Sequence, residues 1–384
     1  MNSRQPSIRP VLSLPHRLQA DTTARGHGIT IAMVDSDFVS HPDLAQPNQR
    51  VVRYVNAVDR TESSSLPEHT LARHWHGTMT ACTAAGNGFL SHGLYTSLAP
   101  LASIVAMRTM NDAGRITTPT IVWALRWIAE HAERYHIDIV NISVYADEID
   151  HSLLHPVNAA VEDLVDMGVV VVAAAGNNPS APIRPPAAAP SALTVGGLND
   201  NNSLDRSDDT MYHSTFGLTS LNVQKPDLIA PSIWLPAPVL PGTPGAEAAS
   251  ALCALDCMND DLLKSHGMSM APAAQINVEP SASLEVLRSA ISDAIRSNML
   301  INPWYKMVDG TSFAAPIVTS VVAQMLEVAP YLTPHDVKDI LQQTARPLAG
   351  YEKLCQGAGV IQQRLALQAA RNHSGRRIAT TTRS

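Results

Sequence analysis

The sequence is poor in charge, in aromatic rings and in cysteine. Only 16% of its 384 residues are Asp, Glu, Lys or Arg. Acids outnumber bases by 34 to 27 and no long Lys/Arg run opposes that balance, so the electrostatic footprint of a nucleic-acid binder is absent. With 5 Trp, 8 Tyr and 4 Phe, the core has to be built from Ala, Val, Leu and Ile. The four cysteines, Cys82, Cys253, Cys257 and Cys355, are too few and too scattered for a disulfide framework. The CxxxC spacing of Cys253 and Cys257 is weak ground for a metal, and no metal site or cofactor is assigned. No window approaches 18 consecutive apolar residues, so no membrane span is expected. The N-terminus lacks the apolar stretch of a secretory signal, because the run from Val11 to Leu14 stops at Pro15. The chain therefore reads as cytoplasmic, although an organelle-targeting reading stays open for an Arg-containing start with no acid before Asp21.

Apolar types make up 45% of the chain, which excludes disorder throughout. The length allows two or three domains at roughly 150 residues each, or one larger α/β domain. Strand-like runs at 29–34 (ITIAMV), 103–107, 137–142, 169–175 (VVVVAAA) and 192–195 alternate with helix-period segments, as in βαβ units around a parallel sheet. The 169–175 run is apolar at every position, as expected of a strand covered on both faces. Thr118 can cap a helix with Pro119 at its first position, and further helices are expected over 152–167, over 313–328, and from Thr333-Pro334 to about Ala345.

Residues 232–306 break this rhythm: they begin Pro-rich, turn Ala-rich, and end in a helical face of Leu284, Leu287, Ile291 and Ile295. They read as an insertion, either a lid or docking subdomain or a loosely packed loop with one helix. The flanking segments 1–25 and 372–384 read as polar, mobile tails, leaving 26–371 as the domain proper.

Four weak signals fall at strand ends or helix starts. Ser312 in GTSFAAP opens an apolar helix, where the helix dipole and free N–H groups favour a developing anion. Asp35 ends the first strand, at the edge where open α/β sheets carry function. His76 begins a small-residue helix, and Asn177 closes VVVVAAAGN. Singly, each reads as a cap, a turn former or a structural histidine. Together they suit acyl transfer. A serine hydroxyl needs a base, histidine titrates near neutrality, a carboxylate fixes the imidazole tautomer, and an amide N–H₂ can meet an oxyanion.

With these residues in the chain order Asp, His, Ser, which is the order of subtilisin itself, the sequence resembles the subtilisin-like (subtilase) serine proteases. The matching stretches are AMVDSDFVSHPDL, HGTMTACTAAGNG, IDIVNIS, GVVVVAAAGN, PSALTVGG, KPDLIAPS, GTSFAAP and CQGAGVIQQRLALQAA. The resemblance implies a three-layer αβα sandwich around a mostly parallel sheet of about seven strands. It also implies a catalytic set of Asp35, His76, Ser312 and Asn177. A peptide substrate would lie as an extra strand along Ser143, Val144 and Tyr145, with Ala174, Ala175 and Gly176 walling the specificity pocket. The expected activity is that of a serine endopeptidase of restricted specificity, with a peptide transpeptidase or macrocyclase, or a catalytically inactive peptide-binding pseudoprotease, as alternatives. The expected partner is a peptide or protein substrate, with no nucleic acid and no membrane.

Four positions depart from the family pattern. Asp37 puts a second carboxylate near the triad, Met79 follows HGT, Tyr145 stands where glycine is common, and Phe313 follows the serine. Tyr145 is expected to crowd the cleft so that neighbouring pockets accept only small side chains. No counterpart of the family's calcium loop follows Gly86. About 28 residues precede the first strand, too few for the propeptide of secreted members.

Overall fold

The computed structural model describes residues 10–147 and 155–381, with side chains up to His373. The start of the helix expected from Ser152 lies outside the described residues. By contacts the described residues divide into two compact units, one of 234–308 with residues 10 and 11, the other of the described residues within 12–233 and 309–381.

The larger unit is built on seven parallel strands, numbered in chain order: β1 (Thr30–Asp35), β2 (Val51–Asn56), β3 (Ser103–Arg108), β4 (Ile137–Ile142), β5 (Val170–Ala174), β6 (Leu193–Asn199) and β7 (Leu228–Pro231). They lie in the order β7-β6-β5-β4-β1-β3-β2, and two short antiparallel strands, Thr61–Ser63 and Thr210–Met211, add to β2 and β6. Every residue of β1 is buried, as in a parallel strand covered on both faces. Helices Thr118–Tyr135 and Pro156–Asp166 cover one face with Ile121, Leu125, Ile128 and Leu164 in the core. Helix Thr311–Val328 packs against β4, β5 and β6, beside helices Trp75–Ala85 and Gln363–Thr381. It is, among the described residues, the one helix long and apolar enough to cross a membrane, and 83% of it is buried within the fold. Its apolar character is that of a core helix.

Some boundaries differ from the sequence reading. The cap of the 118–135 helix is Thr117, in extended geometry, because Thr118 gives both its amide and its hydroxyl to Asp147 (2.7 and 2.6 Å). The expected N-terminal tail is packed from residue 11 onward: Leu14 is buried and Arg17 has no exposed surface. Arg17 gives Nε to Asp200 (2.8 Å) and Nη2 to the carbonyl of Ile233 (2.7 Å). At the far end the last helix runs from Gln363 to Thr381, and His373 in it pairs with Asp336 at 3.5 Å. Between β6 and β7, buried Lys225 reaches Ala192 O (2.7 Å) and Asp227 (2.9 Å), and desolvation draws its pKa down to about 8.

The smaller unit is no loose loop. It has a three-stranded antiparallel sheet (Leu235–Pro238, Tyr305–Val308, Leu300–Asn302) and three helices, Pro244–Cys257, Asp260–Met270 and Leu284–Ser297. Leu252, Leu255, Leu263, Leu287, Ile291 and Ile295 form its own core. Its boundary falls two residues later than the composition suggests, because the Ser232 carbonyl accepts the Gly310 amide at 2.7 Å within the larger unit.

The Arg17–Asp200 pair tests the packed N-terminal segment, since both side chains are wholly buried. Arg17→Met strands a buried carboxylate and should cost about 3–5 kcal/mol, read as a lower urea midpoint with unchanged slope. Arg17→Met with Asp200→Leu should recover part of that loss. A single-variant loss below about 1 kcal/mol, the size of a surface pair, would contradict the packing.

Candidate active site

β1 ends on Asp35, whose side chain is 0% exposed. A buried carboxylate is tolerated only where its oxygens are hydrogen-bonded. Here Oδ1 accepts the Ser36 amide (2.6 Å) and Oδ2 the Thr80 hydroxyl (2.8 Å). His76 Nδ1 stands 2.6 Å from Oδ1, which assigns the proton to Nδ1 and leaves Nε2 as the basic nitrogen. The helix carrying His76 approaches this closely because position 77 is glycine: a Cβ there would lie 2.4 Å from the Asp37 carbonyl. Burial of the His76 ring works against its charged form, but the charge and hydrogen bond of Asp35 outweigh it, and the pKa is raised above the ordinary 6.5.

Ser312 stands in the first turn of helix Thr311–Val328, which hydrogen bonds tie to the end of β4. Thr319 gives its hydroxyl to Asn141 Oδ1 (2.9 Å), Asn141 gives Nδ2 to Ser143 Oγ (3.0 Å), and Ser143 gives its own hydroxyl to the Ser312 carbonyl (2.9 Å). His76 and Ser312 line one cavity. The Ser312 hydroxyl itself points to the Ser143 carbonyl at 3.4 Å, so it has to turn toward His76 before transferring a proton. Asn177 Oδ1 accepts both the amide (2.9 Å) and the hydroxyl (3.0 Å) of Thr311. That fixes the amide and leaves Nδ2 as its free donor group. Gly310, at φ +131°, completes the turn; a Cβ there would lie 3.3 Å from Nδ2.

The expected substrate residues fall in the same place. Ser143, Val144, Tyr145, Ala174, Ala175, Gly176, Asn177 and Ser312 line one open cavity of about 340 Å³. Beyond β4 the Ser143 amide returns to Val34 O and the Ala146 amide to Pro185 O, and the amides of Val144 and Tyr145 bond to no described backbone group. They are donors of the kind that an added strand would pair with. Tyr145 stands at the rim, 58% exposed, with the Arg184 guanidinium 5.1 Å over its ring. It lines both this cavity and the one that carries His76. Arg184, which the sequence reading did not single out, also lines the cavity.

The other departures resolve locally. Asp37 is buried with Arg73 (2.7 Å), His74 (3.3 Å), Arg108 (3.3 Å) and the Tyr54 hydroxyl (2.8 Å) around it. Burial alone would raise its pKa, but the hydrogen bonds from His74, Arg73 and Tyr54 hold it below the usual value. Its charge is thus matched within the network. Phe313 is buried with its ring 5.8 Å from that of His76, and Met79 is buried as well. Elsewhere His41, Asp43 and Cys82 bring possible ligand atoms within 4.8 Å of one another. They fit a cation poorly: His41 Nδ1 already accepts the Asp43 amide (3.1 Å), Asp43 Oδ1 accepts the Leu90 amide (3.1 Å), and the positive charge of Arg50 adjoins.

A family model described as the Subtilase family matches residues 26–360. Over 347 residues, 88% of this chain and 66% of the other, the sequence is 27% identical to the serine protease AprX of Bacillus subtilis. It is 31% identical over 196 residues to a cuticle-degrading serine protease of Orbilia oligospora, covering 50% of this chain and 41% of that protein. Thermitase of Thermoactinomyces vulgaris is 29% identical over 58% of this chain and 70% of its own length. The chain thus spans less than two thirds of the first of these relatives. Among solved structures, fervidolysin of Fervidobacterium pennivorans superposes with TM-score 0.60 and 21% identity over 92% of this chain and 44% of its own. A protease of Pseudoalteromonas arctica gives 0.61 and 19%, over 94% of both chains. At these identities the structures speak for the fold.

Two outcomes follow from this geometry. If neutral His76 serves as the base, kcat/KM against pH should fall on the acid side through a midpoint above 6.5. Asp35→Asn should move that midpoint down; a midpoint that stays put would remove Asp35 from control of the imidazole. Asn177→Ala should lower kcat by about 10²–10³ with KM little changed, the size of the corresponding loss in subtilisin. A change confined to KM would assign Asn177 to ground-state binding.

Proposed function

Because the chain belongs to the subtilase family, we propose that it is a serine endopeptidase of restricted specificity, with Ser312 as nucleophile. The observation that carries the reading is the buried Asp35 held 2.6 Å from His76 on the cavity wall that also carries Ser312. His76 Nε2 takes the hydroxyl proton as Ser312 Oγ attacks the scissile carbonyl, and Asp35 steadies the imidazolium. The Asn177 amide and the Ser312 backbone N–H meet the oxyanion of the tetrahedral intermediate. Collapse of that intermediate breaks the C–N bond, and the proton on Nε2 goes to the leaving amine. Water, deprotonated by the same ring, then frees the acid and restores Ser312 Oγ–H.

Restriction is supported by the side chains at the cleft: Tyr145 and Arg184 stand at the rim of the pocket, where their bulk and charge select among substrates. Extended substrates are held through backbone pairing, with alternate side chains read by pockets.

Ser312→Ala and His76→Ala should each lower kcat by about 10⁶, and the double variant by little more, as the residues act as one unit in subtilisin. Product masses should show water added across one peptide bond. Undiminished peptidase activity in purified Ser312→Ala protein would end this reading, and ligated products would turn it toward transpeptidation.

A further inference from the structure

The cavity between residues 143–145 and 174–177 adjoins Ser312 and Asn177, so it receives the side chain of the residue whose carbonyl is attacked. We propose that Arg184 makes this pocket select an acidic side chain, Glu or Asp, at that residue. The inference rests on the peptidase reading above.

Arg184 is the one charged residue among the described residues lining the cavity; the walls beside it are small or neutral, such as Ala174, Gly176 and Thr215. Its guanidinium lies over the Tyr145 ring, and it forms no ion pair or side-chain hydrogen bond with a described residue. A ring beneath a guanidinium screens one face and leaves the N–H edges for a planar, bidentate acceptor, which a carboxylate supplies.

Two other charges near the cleft, Arg73 and Asp147, are already committed. Arg73, in the adjoining cavity, is tied to Asp37 (2.7 Å) and Asp112 (3.2 Å). Asp147, the carboxylate of that cavity, accepts from the amide and hydroxyl of Thr118. Arg115 lines the adjoining cavity only, and so adds positive charge outside the pocket rather than a counter-ion within it. Arg184 also lines that adjoining cavity, but among the described residues it pairs with no carboxylate there, in a chain whose acids outnumber its bases by 34 to 27.

The experiment compares kcat/KM for three peptides differing only at the residue before the scissile bond: Glu, Gln and Leu. The Glu peptide should be favoured over Gln by about tenfold to a hundredfold, the worth of a charged hydrogen bond over a neutral one. Arg184→Gln should bring the Glu-to-Gln ratio near one, and Arg184→Glu should turn the preference toward a Lys peptide. Fluorophosphonate labelling of Ser312 is followed in each protein. A protein that labels yet cleaves the Glu and Gln peptides alike, or whose ratio survives in Arg184→Gln, overturns the acidic preference and leaves the peptidase reading standing. A protein that neither labels nor cleaves overturns both.

Discussion

A carboxylate without exposed surface stands at the end of β1, an inner strand of the sheet, and the site is arranged around satisfying it. Asp35 uses one oxygen for Ser36 N and His76 Nδ1 and the other for Thr80. That requirement places the His76 helix against the strand, which glycine at position 77 permits. It also sets the imidazole tautomer, so that the basic nitrogen is the one away from Asp35. The second half of the site is positioned separately, by the relay from Asn141 through Ser143 to the Ser312 carbonyl. Both halves depend on β1 and β4 being neighbours in a parallel sheet, which brings their C-terminal ends to one edge.

Much of this was legible in the sequence because most of the strands are short, mainly apolar runs. β1, β3, β4, β5 and β6 all answer to such runs. β2 did not show itself: in VVRYVN, Arg53 and Tyr54 are partly exposed, so the run lacks two-sided burial. β7 is only four residues long and ends on Pro231, too short for a periodic signal. The packing of the N-terminal segment was hidden for another reason. Arg17 finds Asp200 at a separation of 183 residues, and nothing local marks a polar segment as having such a partner. The four principal site residues lie at recognisable strand ends or helix starts. Arg184 belongs to an irregular segment and meets Tyr145 only through the fold.

The departures from the family pattern show how local chemistry absorbs an added charge. Asp37 would repel Asp35 across the end of β1 if it stood alone, yet two arginines, a histidine and a tyrosine hydroxyl enclose it. The same network occupies Arg73, which lines the cavity of His76, whereas Arg184 forms no ion pair with a described residue. The 234–308 segment, by contrast, is a self-contained unit with capped helices and its own apolar core. Thr243, Asn259 and Ser283 each accept an amide of the first turn of their helices, which a loose loop would not require.

The central claim is that His76, under the control of Asp35, activates Ser312. The most direct measurement is the rate of covalent labelling by a fluorophosphonate against pH, with the labelled residue identified by peptide mass mapping. The account predicts a single adduct on Ser312, forming along a one-proton rise whose midpoint lies above 6.5, and strongly slowed labelling in His76→Ala. An adduct on another residue, or labelling of Ser312 at a rate indifferent to pH and to His76, would contradict it.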